Sequence, residues 1–177
     1  MMTARRLFVV PLANNNHGKT TIVNALLAQG LGEPSPERKG ARTLTSPGGR
    51  KIDAYVFVRS YQETEKSAHR NVGRALREND SNWKKRELII FPSHISGSEP
   101  DIAEMISLAH QAGFDIICAA VLFDKDKRSR LVDIWEKGWD ERWTVPNPTQ
   151  RNEAIRIAQL QALGCDLWTW ICKALAP

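Results

Sequence analysis

The residues best suited to chemistry lie near the amino terminus, in the run Ala13-Asn14-Asn15-Asn16-His17-Gly18-Lys19-Thr20-Thr21. Its spacing is that of G-x-x-x-x-G-K-[ST], with Ala13 standing at the first glycine position. The chemistry of that pattern is phosphate binding. Successive backbone N–H groups turn inward around the anion, the lysine reaches the outer phosphates, and the hydroxyl after it ligates Mg²⁺. A helix starting at the same place adds its positive dipole end and free amides. Ala13 departs from the pattern because alanine resists positive φ. The three asparagines that follow compensate in part, since Asn tolerates left-handed geometry better than most residues.

Such a run works only between a strand and a helix. Leu7 to Leu12 is an apolar strand pattern, and Ile22, Val23, Leu26 and Leu27 repeat at helical spacing behind the loop. On these residues, about the first 30 of the chain, the sequence resembles the P-loop NTPase superfamily. The resemblance implies a phosphate cradle made of Asn14, Asn15, Asn16, His17, Gly18, Lys19, Thr20 and Thr21. It assigns Lys19 to the outer phosphates and Thr20 to Mg²⁺, and it implies ATP or GTP as ligand. His17 enters that cradle through its backbone N–H rather than its ring.

At least four strands are expected, with patterns at Leu7 to Leu12, Ile52 to Val58, Leu88 to Phe91 and Phe114 to Phe123. They alternate with helical patterns at Glu63 to Asn79, with Ala68, Val72, Ala75 and Leu76 facing inward, and at Pro100 to Ala112. Strands alternating with helices argue for βαβ crossovers. The expected fold is a three-layer α/β sandwich around a mainly parallel sheet, a single domain over residues 1–177. Residues 32–49 form a polar, Pro/Gly-rich loop. Alternatively, ARTLT and RKIDAYVF are two arms of a hairpin around Ser46-Pro47-Gly48-Gly49. From about residue 127 the chain is expected to be helical: a charged helix from Lys127 to Trp143 carrying Leu131, Trp135, Trp139 and Trp143 at steps of four, a rigid TVPNP turn, and a long helix from Asn152 to Leu175. On that last helix Ile157, Leu160, Gly164, Leu167 and Ile171 make the apolar stripe.

Ligands of open parallel sheets bind at the carboxyl ends of the strands. That rule places Asp53, which opens its strand, at the far edge. It selects Asp124, which closes the fourth strand as VLFD, as the second metal ligand, an ordinary turn residue being the alternative. The third strand ends in Pro92-Ser93-His94, where many relatives carry an acid. Ser93 and His94 would share the edge of the phosphate loop and orient water or sense the γ-phosphate, and a capping role for His94 is the alternative. Asp124-Lys125-Asp126-Lys127 is a poor match to the guanine-reading N-K-x-D of GTPases, which leaves ATP as the default. Lys125, Lys127, Arg128 and Arg130 stand where kinases of the superfamily carry a lid.

The chain has 177 residues, 42% apolar and 25% charged, with net charge +5, a balance suited to anionic partners. Three cysteines without a C-x-x-C pair, and no apolar run of membrane-spanning length, point to a reduced, cytoplasmic protein. The tryptophans at 135, 139, 143, 168 and 170 form core, or else a surface for a protein partner or self-association. The basic face of Lys66, His69, Arg70, Arg74 and Arg77 supports nucleic-acid binding only weakly. The resulting expectation is Mg²⁺-dependent ATP binding and hydrolysis coupled to a partner, with Lys19, His94 and Ser93 at the reacting end. The rivals are a small-molecule or nucleotide kinase, a non-hydrolysing nucleotide-binding module and a GTPase switch.

Overall fold

The computed structural model describes residues 4–123 and 128–176, the side chains of residues 128–130 excepted. The first strand, β1 (Leu7–Leu12), is buried along its whole length. Its alternate residues serve opposite faces: Leu7 and Val9 enter one apolar cluster, Phe8, Val10 and Leu12 the other. A strand covered on both sides must be apolar at every position, which is why LFVVPL reads as a continuous run.

Helix α1 (Lys19–Leu31) follows, ending at the left-handed Gly32. The next segment is the hairpin rather than an open loop: β2 (Gly40–Thr45) pairs antiparallel with β3 (Lys51–Val56). Ser46 and Gly49 close its turn, the Gly49 amide donating to the Ser46 carbonyl at 2.8 Å.

The single helix expected over 63–79 is three short ones, α2 (Tyr61–Thr64), α3 (Lys66–His69) and α4 (Val72–Asn79). Ser60 and Glu63 make a capping box that starts α2 two residues early. Arg70 at φ 67° and the extended Asn71, whose side chain accepts from the Arg74 amide, stop α3 and restart the chain as α4. Ala68 is exposed as a result, whereas Val72, Ala75 and Leu76 are buried as expected. A 3-10 turn (Trp83–Lys85) leads into β4 (Leu88–Ile90), then α5 (Glu99–Gln111) and β5 (Asp115–Phe123).

The carboxyl-terminal third departs most from expectation. Helix α6 (Arg128–Trp135) stops at Trp135, and the last residues of the expected helix, Glu141 to Trp143, instead open a sixth strand, β6 (Glu141–Asn147), parallel to β5. TVPN is thus strand rather than turn. The tryptophan stripe dissolves with the helix. Trp135 and Trp139 pack in the cluster under α5 and α6, while Trp143 crosses to the opposite face and stacks on Trp170 at 6.3 Å. Helix α7 (Glu153–Ala174) runs as expected, although Ile157, assigned to its apolar stripe, is 38% exposed.

The sheet order is β2-β3-β4-β1-β5-β6, parallel except for β2. Helices α1 and α7 pack together on one face, and α4, α5 and α6 on the other. Helix α7 lies close against α1 at Gly164, where an added Cβ would lie 2.5 Å from the Ile22 carbonyl oxygen. Among the described residues no helix is long and apolar enough to cross a membrane.

Candidate functional site

The chain leaves β1 toward α1 on one face of the sheet, whereas its neighbour β4 leads to α5 on the other. A crevice opens at the carboxyl ends of two such strands, and residues 13–18 lie in it. Ala13 does not occupy a left-handed conformation; among residues 13–18 only Asn16 (φ 60°) and Gly18 (φ 97°) do. The backbone reversal is therefore made by an asparagine and the second glycine. Ala13 needs no special φ, and its Cβ belongs to the buried core. Its amide donates to the Ser93 carbonyl at 3.3 Å, tying the loop to the strand beside it.

Lys19, only 4% exposed, folds back over the loop and donates to the carbonyl oxygens of Ala13 at 2.6 Å and Asn14 at 2.9 Å. Asn14 Oδ1 accepts from the Ser96 amide at 3.1 Å. On the far side Asn147, buried at the end of β6, donates to the His17 carbonyl at 3.1 Å and accepts from Gln159 of α7 at 3.0 Å. No side chain caps α1 at Gly18, and the amides of Gly18, Thr20 and Thr21 meet no acceptor among the described residues. Open amides at a helix amino end favour an anion there.

These groups border an open cavity of about 300 Å³ lined by Asn15, Asn16, Gly18, Lys19, Thr20, Thr21, Arg59, Glu63 and Arg156. Six of these nine belong to the expected loop. Arg59, Glu63 and Arg156 do not, because they arrive from the β3–α2 connection, from α2 and from α7. The only sequence signal for Glu63 was S-x-x-E, a capping box, which says nothing of its neighbours. Nothing in the sequence distinguished Arg59 or Arg156.

Glu63 Oε2 accepts from the Ser60 amide at 3.0 Å and also from its hydroxyl. Burial pushes its pKa up, but those two bonds, with the charge of Lys19 and His94, outweigh burial and hold it below the ordinary value. His94 Nε2 lies 4.0 Å from Glu63 Oε2. Burial, reinforced by Lys19 and opposed by Glu63, lowers the His94 pKa. Ser93 reaches the same edge but is fully buried, its hydroxyl accepting from Gln62 Nε2 at 3.0 Å. Gln62 also takes the His94 amide on its Oε1 at 2.9 Å, holding the Ser93-His94 corner against α2. Asp53 sits at the opposite edge, paired with Arg86 at 2.6 Å. Asp124, Lys125 and Lys127, with the side chains of Arg128 and Arg130, lie outside the described residues, and among those described no group of three or more His, Cys, Asp or Glu could hold a metal ion.

No protein-family model matches the chain. No curated protein matches it either.

Proposed function

We propose that the protein binds a nucleoside triphosphate, ATP by default, with Mg²⁺ and cleaves its terminal phosphoryl group. The observation that carries this reading is the junction of β1 and α1: a buried Lys19 folded over the loop beside an uncapped helix amino end, opening into a polar cavity. A triphosphate would lie along the amides of residues 14–21, with Lys19 and Arg59 balancing charge on the outer phosphates. The oxygens of Thr20 and Glu63 on the cavity wall are the hard donors that Mg²⁺ prefers, and Asp124 remains the further candidate. Bound there, Mg²⁺ would offset phosphate charge. Glu63 and the neutral His94 are the groups available to orient a water molecule or another acceptor.

Equilibrium binding of labelled ATP and GTP, with and without Mg²⁺, tests the reading when native protein is compared with Lys19→Ala. The expected result is Mg²⁺-dependent binding that the variant loses by at least about a hundredfold. Absence of binding by folded native protein would overturn it. A second reading, phosphoryl transfer to a small acceptor, is favoured by a larger cavity that shares Arg59 with the first. It predicts slow loss of ATP that accelerates once the acceptor is supplied.

A further inference from the structure

The segment that carries Glu63 to the 300 Å³ cavity also walls a second, larger one. Its volume is about 450 Å³, and it is lined by Glu37, Arg38, Lys39, Phe57, Val58, Arg59, Thr64 and Glu65. Small-molecule sites commonly run from about 300 to 1,000 Å³, with apolar lining and a few convergent polar groups. This cavity has the volume but a more polar lining, since only Phe57 and Val58 of its eight residues are apolar. One wall is the α1–β2 connection, the other the segment leaving β3. Phe57 and Val58 are buried apolar residues, 1% and 3% exposed, at the carboxyl end of β3.

The charges are arranged in two sets. Glu65, fully buried, is satisfied by Lys39 at 2.5 Å, by Asn79 Nδ2 at 2.7 Å and by His69 Nε2 at 3.2 Å. That cluster fastens the connection to α3 and α4 and consumes the charge of Lys39. The guanidinium groups of Arg38 and Arg59 have no acceptor among the described residues. Two guanidiniums without an acceptor among the described residues are complementary to an organic anion, whose carboxylate or phosphate each fork can bind through two N–H groups. Arg59 lines both cavities, so an anion held here would stand next to whatever fills the smaller one.

We propose that the larger cavity binds a small organic anion, a carboxylate or a phosphate monoester, through Arg38 and Arg59. Its role as the acceptor side of a phosphoryl transfer rests on the function proposed above, but the binding itself does not. The site gives Arg38, which does not line the smaller cavity, a partner, and it places that partner beside Arg59.

The test is calorimetric titration of the full chain, first with a non-hydrolysable ATP analogue and Mg²⁺, then at saturation with two sets of probes: ribose 5-phosphate and AMP, or citrate and glutamate. The two sets separate a phosphate ligand from a carboxylate one. The expected result is binding from one set that Arg38→Ala weakens about tenfold or more while leaving affinity for the analogue within about twofold, and that Arg59→Ala weakens together with the analogue. Arg38 is exposed, so its removal leaves the core intact. No binding from either set up to about 10 mM, or binding indifferent to Arg38→Ala, would overturn the proposal. If the analogue fails to bind but a probe still binds through Arg38, the nucleotide reading falls and this site stands.

Discussion

Replacing Gly164 by alanine sets two well-known effects against each other. Alanine in a helix interior is favoured over glycine by about 1 kcal/mol. At this position, however, the new methyl would lie 2.5 Å from the Ile22 carbonyl oxygen, 2.7 Å from Ala25 Cβ and 3.2 Å from the Leu26 nitrogen. Two of the three neighbours are α1 backbone, which no rotamer change can move. Relief requires α7 to retreat from α1, the two helices that cover one whole face of the sheet. Overpacking of this kind costs about 1–3 kcal/mol, and a backbone obstacle places it at the upper end. The net expectation is a loss of about 1–2 kcal/mol, or about 2–8 °C in Tm for a chain of this size. Urea unfolding gives the free energy. The matched control is Gly73→Ala in α4, where the methyl would meet its neighbours at 3.4 Å or more, and where the variant is expected to be neutral or stabilised by up to about 1 kcal/mol. Because Leu160 packs on Gly18 and Arg156 lines the cavity beside it, Gly164→Ala is also expected to weaken ligand binding where Gly73→Ala does not. A Gly164→Ala protein as stable as native would refute the argument that glycine is there for the close approach of the two helices.

Two further outcomes follow from titratable groups. The lowered pKa of His94 means that the unfolded chain takes up that proton first, so stability falls as pH drops from about 6.5 toward the folded-state value; Glu63, also lowered, adds a loss below about 4.5. His94→Gln is expected to flatten the upper part of that profile in urea unfolding measured from pH 7 to 5, and an unchanged slope would count against it. Cys118 is fully buried and burial pushes its thiol up to about 12, so native protein treated with iodoacetamide at pH 8 is expected to be modified at Cys165 and Cys172 but at Cys118 only after unfolding, as read by peptide mass spectrometry.

What the sequence determined by itself is local. The β1–loop–α1 unit was legible because its parts are contiguous: an apolar run, a turn chemistry and a helical period, each readable within a few residues. The continuous apolar runs of β4 and β5 revealed strands buried on both faces, and Asn152 marked where α7 begins. The errors came where local pattern and tertiary pairing disagree. Trp135, Trp139 and Trp143 lie at helical spacing, yet the edge of β5 offers Arg142 to Asn147 a full ladder of hydrogen bonds, and pairing outweighed periodicity. Likewise the charges of residues 63–79 resembled a solvated helix, while Glu65 was needed inside by Lys39, His69 and Asn79, three partners scattered across forty positions of sequence.

Tertiary structure alone decided what faces the loop. Arg59, Glu63 and Arg156 reach the cavity of Lys19 and Thr20 from three separate elements, and Asn147 holds the loop from a strand that the sequence concealed. Convergence of that kind depends on strand order and helix placement, which are set by long-range packing rather than by neighbouring residues. The chain therefore announces a phosphate-loop pattern in one short stretch, and only the folded sheet supplies the charges around it.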